Sequence, residues 1–252
     1  SSLTAILDGQ SELARQGANA NELIIPMMAM QGLGDYSRNS GYVEGDVTLT
    51  NETVTCNFDR GRMFTVDTMD DLETAGIAFG RLAGEFIRTK VVPELDAFRL
   101  SSYASAAGVS KATGTLATGE AAVAAIRAAV TKMDEDEVPL TERYLYITPT
   151  LHGLISDMDT TKSREVLARF AAVVDVPQTR FYTKIAQKSG KVITGGTDEA
   201  PTSTDETAGG YAKASEGKDI NFMVIHKPAV IQFQKHVAPK IITPQGNPDA
   251  DA

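Results

Sequence analysis

The feature that most constrains this chain is an apolar stripe: Leu72, Ala75, Phe79, Leu82 and Phe86 recur at spacings of three and four residues. That period places all five on one face of an α-helix, and Thr68-x-x-Asp71 supplies a capping arrangement at its start. The pattern can be followed to about Tyr103, so the spacing predicts a helix of unusual length. Pro93 lies inside it, lacks a backbone donor, and is expected to kink or interrupt the helix near Lys90 to Val92. One stripe on one long rod must be covered by something else, and the rest of the chain has to supply the cover.

Helices and strands interleave after the rod. A Gly- and Ala-rich hinge, 104–114, leads to a second helix from Thr118, with Val123, Ile126, Val130 and Met133 on one side and Asp134-Glu-Asp-Glu137 and Pro139 at its end. Arg143 to Thr148 alternates like a strand, Pro149 to Ile155 starts a short helix, and Ser163 to Val174 carries Val166, Leu167, Phe170, Val173 and Val174 in helical spacing. Arg180 to Ile185 returns to strand character, and 195–218 reads as a surface excursion. Ile220 to His226 and Ala229 to His236 are strand-like runs that need a partner, for which the long helix and its neighbouring strands are the expected choice. The fold class is therefore α+β, with an inserted α/β portion.

The residues ahead of the rod behave differently. Leu3 to Arg15 reads as a short helix, and Glu22 to Met30 is extended and apolar, with Pro26 arguing against a central strand. Gly32 to Gly41 is a flexible Gly, Ser and Asn cluster. Val47 to Val66 is rich in β-branched residues, but its apolar positions change phase near Asn51, so neither face is continuously apolar. A hairpin built this way is marginal alone and is expected to lean on another chain.

Chemistry leaves few marks. No P-loop, G-x-G-x-x-G, G-x-S-x-G or H-E-x-x-H pattern occurs; Ser189-Gly-Lys-Val192 lacks both the earlier glycine and the hydroxyl of a P-loop. Cys56, the single cysteine, sits in a strand-like run and offers no internal disulfide, as suits a reducing compartment. His152, His226 and His236 are scattered, and Asp134 to Glu137 reads as a solvated turn, so no catalytic, metal or cofactor site is expected. No apolar run reaches the roughly 18 residues of a membrane-spanning helix. A formal charge of −9 in 252 residues argues against gripping nucleic acid through its phosphates. The opening Ser-Ser-Leu-Thr, with neither Met nor a basic leader, is expected to mark a processed or partly ordered product.

Asp59-Arg60-Gly61-Arg62 supports two readings of equal standing. It is a polar hairpin turn, or an intersubunit salt-bridge element whose guanidinium groups meet carboxylates such as Glu73 or Glu94 of a neighbour. Thr48, Thr50 and Glu52 are further interface candidates on the same β segment.

These strings together resemble the major capsid proteins of tailed bacteriophages, the family with the Hong Kong 97 fold. The resemblance rests on Gly45-Asp-Val-Thr-Leu-Thr-Asn-Glu-Thr-Val-Thr-Cys-Asn-Phe-Asp-Arg-Gly-Arg-Met-Phe-Thr-Val-Asp67, on Ala78-Phe-Gly-Arg-Leu-Ala-Gly-Glu-Phe86, on Lys90-Val-Val-Pro-Glu-Leu-Asp-Ala-Phe98 and on Asp219-Ile-Asn-Phe-Met-Val-Ile-His-Lys-Pro-Ala-Val-Ile231. It implies an amino-terminal arm over 1–21, an extended β loop over 22–67, a peripheral domain with its spine helix over 68–114, an axial domain over 115–219, and a return to the peripheral domain over 220–252. The tip of the loop falls either in Gly32 to Asp46 or at Asp59 to Arg62.

The resemblance implies a structural protein, not an enzyme, that self-assembles through pentamers and hexamers into an icosahedral virion head in the bacterial host cytoplasm. It would enclose double-stranded DNA without sequence-specific binding, need no cofactor or membrane, and meet portal, scaffold or decoration proteins. Some relatives lock the shell with a lysine to asparagine crosslink; Glu22 to Asp67 contains no lysine, so a non-covalent shell is expected. An encapsulin-like nanocompartment shell, and an unrecognised α/β enzyme, are the alternatives.

Overall fold

The computed structural model describes residues 2–9, 15–16, 22–64, 77–197 and 200–233. Two compact units divide the chain: one gathers Ser1–Leu7 and Val66–Val230, the other Asp8–Thr65 and Ile231–Ala252. The expected helix cap at Thr68 and Asp71 lies outside the described residues.

The first unit is built around a sheet whose strand order is β10-β4-β5, where β4 is Arg143–Ile147, β5 is Ala172–Asp175 and β10 is Phe222–His226. Strand β10 runs antiparallel to β4, with Phe222 opposite Ile147, and β5 runs parallel to it, with Leu145 opposite Val173. The carboxyl-terminal run at 220–226 thus takes its ladder partner from Arg143–Ile147, while Ile220 and Ile225 share a core cluster with Leu100 of the long helix, the partner the sequence suggested. Ladder hydrogen bonds can be satisfied only by another strand, and β4 offered a free edge.

Alternation along β4 sends side chains to two cores. Leu145 and Ile147 face a cluster with Ala122, Val123, Ile126 and Val130 of α3 (Gly119–Glu135), Leu151 and Ile155 of α4 (Pro149–Met158) and Val166 of α5 (Thr161–Leu167). Tyr146 faces the other way, into a cluster with Leu7, Leu100, Val176, Phe181, Ile220 and Ile225. The unit is therefore layered, with helices on one face of the sheet and the end of the long helix on the other. Gly119 makes the close approach of α3 to α4 feasible, since a Cβ there would sit 2.4 Å from the carbonyl oxygen of Leu154.

The long helix is continuous where it is described, but its winding changes. Helix α1 spans Ile77–Phe86, a π turn covers Ile87–Val91, and α2 runs over Val92–Ser105. The expected interruption at Pro93 takes this form: the N–H of Val92 reaches back five residues to the carbonyl of Ile87, and Pro93 occupies the first turn of the segment that follows. A missing donor costs least at such a junction, and the wider turn spares the proline ring a clash with the preceding carbonyl.

Elsewhere tertiary pairing overrides local periodicity. The helix expected at Ser163 to Val174 ends at Leu167, and Val173 and Val174 join β5, where β-branched residues fit a buried strand. The strand expected at Arg180 to Ile185 is replaced by a tight turn at Gln178–Arg180, a buried Phe181 and a short β6, Ile185–Gln187, paired with β9, Tyr211–Lys213. A hairpin of β7 (Val192–Thr197) and β8 (Ala200–Asp205) fills the loop region. In place of the strand expected from Ala229, a single turn forms at Lys227–Ala229. Of the helix expected over Leu3 to Arg15, the described residues show one turn at Ala5–Leu7 and a strand at Arg15–Gln16, and the Leu3 and Thr4 amides ahead of the turn donate to the Asp96 carboxylate.

The second unit is a ribbon. Strands β2 (Glu22–Met30) and β3 (Val47–Thr55) pair antiparallel without a break from Glu22 opposite Thr55 to Met30 opposite Val47. On the other side of β2, among the described residues, β1, Arg15–Gln16, pairs with Leu23 and Ile24. Pro26 therefore sits in the middle strand after all.

Candidate functional site

Every pair of the ribbon has one residue on each strand, and the unbroken register fixes which residues share a face. Met28 with Leu49 and Met30 with Val47 lie on one face, near the loop; Leu23 with Val54 lies on the other, near the open end. The change of apolar phase near Asn51 is thus a change of face within a regular ribbon, with no bulge to absorb it. Near the loop both faces stand open, with Met30 72% and Leu49 69% exposed on one and Met27 51% on the other, whereas toward the open end Leu23 is buried and Ile24 and Ile25 are half-buried.

The loop joining the strands carries the turn. Gln31 and Asp46 are tied by two hydrogen bonds, Gln31 N–H to the Asp46 carbonyl at 3.4 Å and Asp46 N–H to the Gln31 side chain at 3.2 Å. Farther out Ser37 and Gly41 exchange backbone bonds of 3.1 and 2.7 Å around Arg38, Asn39 and Ser40. Gly41 has a φ of +78°, the left-handed conformation that glycine adopts without strain. Tyr36 and Tyr42 flank the closure with ring centroids 4.9 Å apart. Leu33, Tyr36, Tyr42 and Val43 all stand exposed, extending the apolar surface of the strands around the tip. Of the two locations open for the tip, the turn forms at Ser37 to Gly41.

The sequence-derived interface residues divide as follows. Thr48, Thr50 and Glu52 are exposed and share one ribbon face with Ala29, Met27 and Ile25, their cross-strand partners. Asp59, Arg60 and Arg62 are exposed beyond the end of β3, in a stretch without regular structure, so no hairpin turn forms there. Glu94 is half-buried in the first turn of α2, in the other unit. Glu73 lies outside the described residues.

Groups that could carry catalysis are sparse. His152 Nδ1 lies 2.8 Å from Asp175 Oδ1, an exposed pair with no nucleophile described beside it. Cys56 is half-buried. No group of three or more metal-ligating side chains occurs among the described residues, and no described helix is long and apolar enough to cross a membrane. An open groove between α3 and α5 has an apolar floor of Val130 and Val166 under Arg127, Thr131, Glu165 and Arg169.

The residues that sequence reasoning missed are buried and charged. Arg143 enters the base of β4 and donates to the carbonyl oxygens of Pro139 and Val138 and to Asp134, which pins the loop between α3 and β4. Asp96 and Arg99 of α2 are buried next to Ala97 and Leu100. The signal was present in the pattern, because charged residues adjoining the apolar stripe of a helix have to find partners when that stripe is buried.

No family model matches the chain, and no curated protein matches it. Among solved structures it is similar to a chain of Mycobacterium phage Che8, at 12% identity and a TM-score of 0.48, with 90% of this chain and 92% of that chain covered.

Proposed function

We propose that this chain is the major capsid protein of a tailed bacteriophage, a structural subunit that assembles through pentamers and hexamers into an icosahedral head around double-stranded DNA, without covalent crosslinks. The observation that carries this reading is the loop-side part of the ribbon of 22–55: Met27, Met28, Met30, Val47 and Leu49 of the two paired strands, and Leu33, Tyr36, Tyr42 and Val43 around the tip, stand exposed. Two strands packed only at one end are marginal in water, and an apolar surface of this extent marks a place where another protein sits. A neighbouring copy of the same subunit is the occupant that fits the sequence resemblance described above.

The remaining features agree with that role. A layered unit with two apolar cores provides a rigid body, and the ribbon provides an adaptable one, as slightly different environments in a closed shell require. Many modest contacts made together give a durable assembly. The net charge of −9 suits a container that holds DNA without gripping it. Absence of lysine from the ribbon leaves shell closure to burial and ion pairing, with Thr48, Thr50, Glu52, Asp59, Arg60 and Arg62 as polar contacts around the apolar ones.

Electron microscopy of the purified chain after gel filtration tests the proposal. Rings of five and six subunits, or closed shells, are the expected result. The double variant Met28→Asn/Leu49→Asn should give folded subunits, with the circular dichroism of the parent, that no longer close. A chain that stays monomeric at all concentrations and salt levels, or a variant that assembles as the parent does, overturns it. Particles filled with protein cargo in place of DNA would transfer the subunit to nanocompartment shells.

A further inference from the structure

The tip of the ribbon and the groove between α3 and α5 are complementary in charge and in side-chain type. Around the tip, residues 31–46 carry Asp35, Glu44 and Asp46 against a single cation, Arg38, and all four are exposed. The three carboxylates make no hydrogen bond or ion pair among the described residues. Beside them Tyr36 is 61% exposed, Tyr42 86% and Val43 70%, so the tip offers aromatic surface and negative charge together.

The groove offers the opposite charge. It is an open cleft of about 530 Å³, with Val130 and Val166 as its floor and Arg127, Thr131, Glu165 and Arg169 around the rim. Pockets that receive a ligand span roughly 300–1,000 Å³. Elsewhere in the first unit exposed cations such as Arg164 and Lys184 are met at 2.5 Å, by Asp159 and Glu216. In the groove they are not. Arg127 makes no hydrogen bond or ion pair among the described residues. Arg169, 58% exposed, reaches Asp134 only at 3.6 Å, on a carboxylate whose other oxygen Arg143 holds at 2.6 Å. Three guanidinium groups thus stand against two carboxylates, Asp134 and Glu165, which leaves positive charge at the surface of a chain whose net charge is −9.

We propose that the tip of one copy's ribbon docks in the groove between α3 and α5 of a second copy, its carboxylates meeting Arg127 and Arg169 and its tyrosines covering the floor. This rests on the reading of the ribbon as the part of the subunit that meets a neighbour, and it names the surface that receives it. Guanidinium groups form paired charge-assisted hydrogen bonds with carboxylates and stack on tyrosine rings. Tyrosine and arginine are also the residues that most often carry interface energy once water is excluded. The acidic tip and the basic rim attract at a distance and fix the orientation of the encounter. Every copy that offers a tip also offers a groove, so the contact is head-to-tail, the kind that closes into rings.

Two single-cysteine chains on a Cys56→Ser background test the contact. One carries Val43→Cys at the tip; the other carries Thr131→Cys on the groove rim and a tag that changes its size. Mixed under mild oxidation, they should give a linked heterodimer on a denaturing gel, and that bond can join only separate copies. Arg127→Glu in the groove chain, at a residue with no described partner to lose, should cut the linked product about fivefold, and Asp35→Lys/Glu44→Lys in the tip chain should restore it. No linked product, or the same amount with and without Arg127→Glu, overturns the contact; rings and shells that form nonetheless leave the capsid reading standing. A bond that forms only within one chain carrying both cysteines places the tip on its own groove and overturns the second copy. Linked, charge-dependent heterodimers without rings or shells in the microscope support the groove contact and overturn the capsid reading.

Discussion

The two units use the same kinds of residues to opposite ends. In the layered unit Leu145, Ile147, Ile126 and Phe181 are buried completely or nearly so, because strands and helices from 100 to 225 close over them. In the ribbon Met28, Met30, Val47 and Leu49 have the same chemistry, regular pairing and good register, yet they stay in contact with solvent. Hydrogen-bonded pairing is complete in both; what differs is whether a second layer exists to receive the side chains. Secondary structure can therefore be satisfied by a chain whose hydrophobic surface is not, and the unsatisfied portion is where a partner is to be sought.

The sharpest way to break this comparison is to truncate one apolar residue from each unit. Phe181→Ala should cost about 3–5 kcal/mol of stability in a denaturant titration, through lost burial and the cavity left behind. Leu49→Ala should cost less than about 0.5 kcal/mol in the isolated subunit. Equal losses would mean that the ribbon has a packed core of its own. An intermediate effect is expected from Arg143→Ala, which deprives the Pro139 and Val138 carbonyls and Asp134 of a buried donor. About 2–3 kcal/mol should be lost, less than for a fully buried pair because Asp134 is partly exposed. A loss below about 1 kcal/mol would show that water takes over those acceptors.

The smallest effect concerns Tyr211, in the β6–β9 corner of the layered unit. Burial lifts its phenol above the ordinary value of 10.0, with Arg180 pulling it down and Tyr182, Glu94 and Asp96 pushing it up, and its hydroxyl donates to the Thr179 carbonyl at 3.0 Å. A proton held more tightly in the folded chain than in the unfolded one makes a contribution that is complete below the unfolded value and declines as pH rises through the folded one. Stability should therefore fall more steeply above about pH 10 in the parent than in Tyr211→Phe. Identical slopes would remove Tyr211 from the alkaline transition. Asp205 is the acidic counterpart, held below its usual range by hydrogen bonds from Thr207, on the exposed surface.

Much of the architecture was legible where one physical rule acted alone. Thr118 caps α3 as its position suggested, accepting from the Ala121 N–H, and the helix ends at Glu135 within the acidic run. Pro149 opens α4, and Arg143 to Ile147 is a strand. Misreadings came where two rules competed. Val173 and Val174 fit a helical spacing but also a strand beside β4, and the ladder won. Pro26 argued against a central strand, yet β2 lies between β1 and β3, with Pro26 opposite Asn51. For the interface residues the sequence could mark the type, as at Arg60 and Arg62, but not the geometry, since a partner surface is not written in the spacing of one chain.

The sequence by itself determined the long helix, its disturbance at Pro93, the mixture of helices and strands, and a β segment whose apolar residues change face at Asn51. These are consequences of local sterics and of period, and both act over a few residues. Tertiary structure alone decided that β10 joins β4, that Pro93 is met by a π turn and not a break, and that the first residues of the chain dock on Asp96, some ninety residues away. Such choices depend on which donors and apolar surfaces arrive at the same place, and a buried carboxylate is stable only when they do.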